Sequence, residues 1–198
     1  MTPLADTDAT LQGVPRVTLL TPTIEGRERQ LAEAAASVQA QTEEVAHLIW
    51  LDDARMGPAW CRQRMLDLVQ SEFVAFLDDD DLIDPIHVEA LMALLATGKS
   101  LADLAWSRCR VEGAPPGFRL GQPIRPDYNA LARGGRNWIP VTVVARTASI
   151  RAAGGFDPAD RYEDYELWRR MLHQGQRFAH LPTETWTYRF HGDNRTFT

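Results

Sequence analysis

Apolar residues in this chain fall into short runs separated by turn-forming residues. Arg16 to Thr21 (RVTLLT) is a β-rich run ending at Pro22, and it reads as a buried strand. Glu28 to Gln41 places Leu31, Ala34, Ala35 and Val38 on one face at helical spacing. Val45 to Leu51 (VAHLIWL) reads as a second strand that runs into Asp52-Asp53. Gly57-Pro58 then opens a second helix, with proline at its first position and Cys61, Met65, Leu68 and Val69 as its apolar face. A third strand, Phe73 to Leu77 (FVAFL), runs into four consecutive aspartates. Asp84-Pro85 predicts the cap and first residue of a third helix, with Gly98 as its stop.

Strands alternating with helices predict an α/β fold of Rossmann-like type. Its central sheet is mostly parallel and flanked by helices. Such sheets bind ligands outside the carboxyl ends of their strands. The polar residues sit there: Thr23 after the first strand, Asp52 and Asp53 after the second, Asp78 to Asp81 after the third.

The second half is less regular. Leu101 to Arg110 reads as a strand, and Glu112 to Asn137, rich in glycine, proline and arginine, as a long surface loop. Ile139 to Arg146 is strand-like, and Thr147 is placed to cap a short helix ending at Gly154-Gly155. Tyr162 to Gln174 reads as a helix, and two short strands, Phe178 to Leu181 and Glu184 to Phe190, close the chain. The organisation expected is a flexible tail over residues 1–15 and one domain over 16–198.

Composition narrows the classes. The 198 residues are 44% hydrophobic and 24% charged, which is ordinary globular usage. The net charge of −6 and almost wholly arginine basicity argue against non-specific nucleic-acid binding. No apolar run reaches the length of a membrane span, and the first fifteen residues do not read as a secretory signal. Cys61 and Cys109 make neither a disulfide framework nor a metal motif, so they read as reduced thiols in a cytoplasmic protein. The phosphate-binding glycine loops GxxxxGK[ST] and GxGxxG are missing, as are HExxH and GxSxG.

Four aspartates in a row repel one another, and a divalent cation relieves that repulsion. Hard oxygen ligands suit Mg²⁺ or Mn²⁺, and alternate residues such as Asp78 and Asp80 could face one ion. The plain alternative is a solvated acidic turn. Asp52-Asp53 could accept from a ribose hydroxyl or a base N–H, or could simply shape a turn. Glu163-Asp164 complements a helix dipole, and periodicity alone favours that role over a general base. His191 gains a role only if the last segment folds back over the acids.

The ordered set of motifs resembles a known family. It runs Thr21-Pro22-Thr23, Asp52-Asp53, Gly57 to Cys61-Arg62-Gln63, and Phe76-Leu77-Asp78-Asp79-Asp80-Asp81. It continues with Gly154-Gly155-Phe156-Asp157, Glu163-Asp164-Tyr165-Glu166-Leu167-Trp168 and Tyr188-Arg189-Phe190-His191. This is similar to the family 2 glycosyltransferases of the GT-A fold, over roughly Arg16 to Asn194. The resemblance implies an inverting, metal-dependent transferase that takes a nucleotide-diphosphate sugar, with UDP-sugars as the expected donors, to a hydroxyl acceptor the sequence does not name; it also implies a nucleotide-binding half over 16–98 and an acceptor and catalytic half over 99–198. Pro22 and Thr23 match the nucleobase loop, Asp52 or Asp53 the base-binding carboxylate, and Arg62 an arginine facing the nucleotide. Asp78, Asp79 and Asp80 match the DxD region. Asp80 and Asp78 stand where the Mn²⁺ or Mg²⁺ ligands lie, and His191 matches a late histidine near metal or diphosphate. Asp164 matches the catalytic base, with Glu163 beside it. The chain departs from the family pattern at Asp52-Asp53-Ala54-Arg55 and at Gln63, and Arg27 and Arg29 compete for a nucleotide contact.

Two other readings stand beside this one. A non-catalytic module binding a sugar nucleotide or glycan would carry the same pocket. A sugar-nucleotide nucleotidyltransferase calls for a glycine-rich basic loop after the first strand, where this chain has Thr21-Pro22-Thr23-Ile24-Glu25. The oligomeric state is not written in the sequence.

Overall fold

The structure, a computed structural model, describes residues 15–96, 102–118 and 120–191. These form seven strands and six helices: β1 (Val17–Thr23), α1 (Glu28–Gln39), β2 (Val45–Leu51), α2 (Pro58–Leu68), β3 (Phe73–Phe76), β4 (Leu82–Ile83), α3 (His87–Ala96), β5 (Leu104–Glu112), α4 (Tyr128–Ala132), β6 (Val143–Arg146), α5 (Thr147–Ala152), α6 (Glu163–His173) and β7 (Phe178–Arg189). Gly98 and residues 1–14 of the expected tail lie outside the described residues, as do Asp193 and Asn194.

The strands make one sheet in the order β2-β1-β3-β6-β5-β7-β4. The long ladders are parallel: β1 with β2, β1 with β3, and β5 with β7. The short ones, β3 with β6, β5 with β6 and β4 with β7, are antiparallel. By length, then, the sheet is mostly parallel, as the alternation implied. Alternate residues of its strands point to opposite faces, and each face carries its own core. Val17, Leu19, Phe73 and Ala75 pack with Ala34 and Val38 of α1 and with Val88, Leu91 and Leu95 of α3. Leu20, Val74 and Phe76 pack with Met65 and Leu66 of α2 and with Leu167, Trp168 and Met171 of α6.

Several boundaries differ from the sequence reading, each for a local reason. β1 continues through Pro22 to Thr23, because beyond Leu20 only β2 runs beside it, so a missing N–H costs no bond to β3. α2 buries Leu66, and Leu68 is exposed. α3 starts at His87; the Asp84 carboxylate pairs with Arg110 instead of capping the helix. Thr147 does not cap α5: it is the first helical residue, and its hydroxyl donates to Ser71 O at 2.9 Å. The long loop contains α4, capped by Asp127, whose carboxylate accepts from Ala130 N at 3.0 Å. Pro140 precedes a shorter β6 than expected.

The largest difference is at the C-terminus. The two expected strands are one, β7, which carries Pro182 where its pairing with β5 shifts register near Arg108. A proline is tolerated at such an irregularity. β7 then pairs Trp186 and Thr187 with β4, the strand the sequence reading missed. That pairing draws the last segment over the acidic run.

Candidate active site

The carboxyl ends of β1, β2 and β3 open into a cleft of about 780 Å³. Its lining includes Pro22, Thr23, Asp52, Arg62, Asp78, Asp79, Asp80, Glu163 and Asp164. Residues expected from distant parts of the chain thus share one cavity. Asp53 does not join them; it is exposed and lines neither this cleft nor its neighbour. Asp52 is buried, and its carboxylate accepts from Met56 N at 2.8 Å and Gly57 N at 2.7 Å. It therefore fixes the turn into α2, whose first residue is Pro58.

Each aspartate after β3 has its own partners. Asp78 pairs with Arg62, whose other nitrogen donates to Glu163 at 2.8 Å. Asp79 is buried and accepts from Thr23 Oγ1 at 2.7 Å and Arg27 at 2.7 Å. Asp80 Oδ2 lies 2.9 Å from Arg27 and 2.8 Å from His191 Nε2. Asp81 is buried and accepts from Arg189 N at 3.0 Å. Arg189 also donates from its side chain to Asp80 O and pairs with Glu33 of α1. The last segment does fold back, and Arg189 ties the acidic turn to β7 and α1.

Asp78, Asp80 and Asp81 each offer an oxygen, and the three lie within 4.8 Å of one another. Such a set of hard oxygens fits a divalent cation of the Mg²⁺ or Mn²⁺ kind. Burial and the neighbouring Asp78 raise the Asp80 carboxyl, against the pull of His191 and Arg27. Asp81 is raised well above the usual carboxylate range by burial and by Asp78 and Asp80. Sequence reasoning missed Asp81 in this trio because it counted alternate residues, whereas the chain turns here, with Asp81 N bonded to Asp78 O at 3.2 Å. His191 stands on Asp80 and outside the trio.

Across the cleft, α6 delivers Glu163 and Asp164 from its first turn. Burial, with the charge of Glu163 beside it, pushes Asp164 up to about 6, while the Tyr165 N–H and Arg62 pull the other way. Arg62, only 3% exposed, is the hinge of this arrangement. Burial opposes its charge, yet Asp78, Glu163 and Asp164 together raise its pKa. The guanidinium also lies 5.7 Å from the centre of the Phe156 ring, which supports it from the Gly155-Phe156 turn. Tyr165 OH donates to Gly135 O at 2.6 Å and fastens α6 to the loop before Trp138. Gly135 is required there, since a Cβ would lie 2.7 Å from Ala130 O. The competing arginines are also separated: Arg27 lines the cleft, and the Arg29 side chain is 90% exposed.

A twisted α/β sheet with acids after β3 and a carboxylate pair on a facing helix defines a GT-A type of domain. The model of glycosyl transferase family 2 matches residues 25–140, more than half the chain, and the protein belongs to that family. Similar solved structures include S. aureus TarS 1–349 in complex with UDP-GlcNAc, at a TM-score of 0.71 and 15% identity. The alignment covers 91% of this chain and 60% of that one. The mannosyltransferase PcManGT from Pyrobaculum calidifontis, in complex with GDP-Man and Mn²⁺, is similar at a TM-score of 0.65 and 15% identity, covering 91% of this chain and 58% of that one. This chain thus spans about 60% of the length of these neighbours. No curated protein matches it. Among the described residues no helix is long and apolar enough to cross a membrane. Both cysteines are free, buried thiols, with burial pushing Cys61 up to about 11 and Cys109 to about 12.

Proposed function

We propose that this protein is an inverting glycosyltransferase that moves a sugar from a nucleoside-diphosphate sugar to an acceptor hydroxyl. The observation that carries the reading is the shared cleft, in which the acids after β3 face Glu163 and Asp164 of α6. Thr23 and Asp52 mark the nucleoside end, and Asp164 marks the reacting end. The neighbours' complexes hold a uridine and a guanosine donor, so both bases belong in the first screen; we take a UDP-sugar as the first choice. The free thiols fit a reducing compartment, and we place the protein in the cytoplasm.

Asp78, Asp80 and Asp81 would hold the divalent cation, which when bound supplies positive charge against the leaving diphosphate. The chain's own residues do the rest. Asp164, held near 6, is ionised at neutral pH yet basic enough to take a proton. It accepts the proton of the acceptor hydroxyl as that oxygen bonds to the anomeric carbon and the diphosphate departs from the opposite face. Arg62 keeps Asp78 and Glu163 in register, so the donor end and the base end are positioned by one guanidinium. Arg27, between Asp79 and Asp80, brings positive charge to the same rim.

The test is Asp164→Asn. Turnover should fall by roughly 10²–10⁴-fold with nucleotide affinity within about threefold of wild type. The product's anomeric configuration, read by NMR coupling, should be opposite to the donor's. Full turnover in this variant, or a retained anomer, would remove Asp164 from the role given to it.

A further inference from the structure

Arg62 and Gln63 are neighbours on α2 and reach to different partners. Arg62 Nη1 donates to Glu163 at 2.8 Å, and Nη2 pairs with Asp78. Two hydrogen bonds from the two Nη atoms define a line, and a planar guanidinium can still turn about it. A bond from Nε would stop that turn, but Arg62 Nε is buried and has no hydrogen-bond partner among the described residues. What remains to be held is the face of the guanidinium. Its Cζ lies 5.7 Å from the centre of the Phe156 ring, and Phe156 is 2% exposed. Such a contact is strongest where water does not compete for the charge. The same ring meets Phe76, the last residue of β3, edge-on at 5.1 Å.

The place of that ring depends on the turn that carries it, and the turn is fastened from two helices. From α6, Arg170 donates to Ala153 O at 3.1 Å, to Gly155 O at 2.6 Å and to Asp160 at 2.7 Å. From α2, Gln63 Oε1 accepts from Phe156 N at 2.9 Å. The Gln63 amide is aimed by its other end, since Nε2 donates to Asp67 Oδ1, one helical turn on, at 2.9 Å. The turn sits so close that a Cβ on Gly155 would overlap Gln63 Oε1, and Gly155 has a φ of +66° besides. Arg170 fixes the turn relative to α6. Gln63 fixes it relative to α2, and so relative to the backbone of Arg62 itself.

We infer that Gln63 is a positioning residue: through the Phe156 N–H it seats the ring that holds Arg62 between Asp78 and Glu163. That Arg62 serves a transferase rests on the reading above; that Gln63 seats it does not. Gln63→Met keeps the length of the side chain and removes the acceptor oxygen. Gln63→Glu keeps an acceptor. Gln63 is half-buried, so both should fold, and Gln63→Ala replaces Gln63→Met if that variant does not.

Nitrogen-15 NMR of the full chain, following the assigned Arg62 Nε–H signal, tests this. A proton over an aromatic face is shielded, and Phe156→Leu marks the unshielded position (free arginine marks it if that variant does not fold). In Gln63→Met the signal should move most of the way to that mark, and in Gln63→Glu it should stay where wild type has it. Mn²⁺ alone, titrated through water-proton relaxation, should bind Gln63→Met roughly threefold or more weakly than wild type, because Asp78 loses a fixed partner. The inference is overturned if the Arg62 signal stays in place in Gln63→Met, or if Gln63→Glu displaces it as far. Equal Mn²⁺ affinity in Gln63→Met and wild type would overturn it too, leaving Gln63 a brace for the turn alone. A wild type that binds no Mn²⁺, with the NMR contrast intact, would sink the metal reading and leave the seating of Arg62 supported.

Discussion

The acidic turn after β3 and the wall from Arg136 to Thr142 flank the same carboxylate, Asp164, and are built in opposite ways. In the turn, every carboxylate is engaged: Asp78 by Arg62, Asp79 by Thr23 and Arg27, Asp80 by Arg27 and His191, Asp81 by the Arg189 backbone. In the wall, Asn137 and Thr142 keep polar atoms with no partner among the described residues. A turn that holds a charged donor must be stiff before the ligand arrives, because like charges gathered without countercharge would spread. Substitutions should therefore cost more stability on the first side than on the second.

The largest effect should come from Arg62→Met. It leaves Asp78 and Glu163 without their shared cation, and loss of one partner of a buried pair costs about 3 kcal/mol or more. Urea unfolding would show it; a loss below about 1 kcal/mol would mean the turn does not depend on this bridge.

Asp164→Asn should act in the other direction. The fold raises this carboxyl to about 6, so folding favours its protonated form. That contribution is present in full below about pH 4 and is lost as pH rises through about 6. Above pH 6 the wild type carries the cost of a buried charge that asparagine lacks. The variant should be more stable by on the order of 2 kcal/mol at pH 8 and level with wild type near pH 4. Melting curves across pH would check it, and an equal gap at both ends would show that the charge is not the cause.

The smallest contrast is between adjacent residues. Asp52→Ala leaves two N–H groups of the turn into α2 unpaired and should cost about 1–2 kcal/mol, while exposed Asp53→Ala should stay within about 0.5 kcal/mol. Nucleotide affinity should follow the same order.

The first half of the fold was legible because periodicity encodes it: β1, α1, β2, α2 and β3 fall close to where their apolar residues recur. The acidic run was legible as a candidate site because four aspartates directly after the buried β3 repel one another, and the structure gathers three of their oxygens within 4.8 Å. What the sequence concealed depends on long-range pairing. β4 is two residues long and exists only because Trp186 and Thr187 lie beside it. Asp81 joins the oxygen trio through a turn that alternation does not describe. Arg189 and Gly135 act through partners far away in the chain or through a close backbone approach, and neither leaves a periodic trace. That Asp52 lines the cleft and meets the Met56 and Gly57 N–H groups while Asp53 stands outside is a fact of geometry that two adjacent aspartates do not reveal.

The central claim is that the acids after β3 grip a cation together with the donor's diphosphate. Calorimetric titration of UDP and GDP into wild type and Asp80→Asn, with and without Mn²⁺, tests it most directly. At least one nucleotide should bind wild type with Mn²⁺ and lose roughly tenfold or more in affinity when either the metal or the Asp80 carboxylate is removed. Equal affinity in all four conditions, or no binding of either nucleotide, would contradict the account.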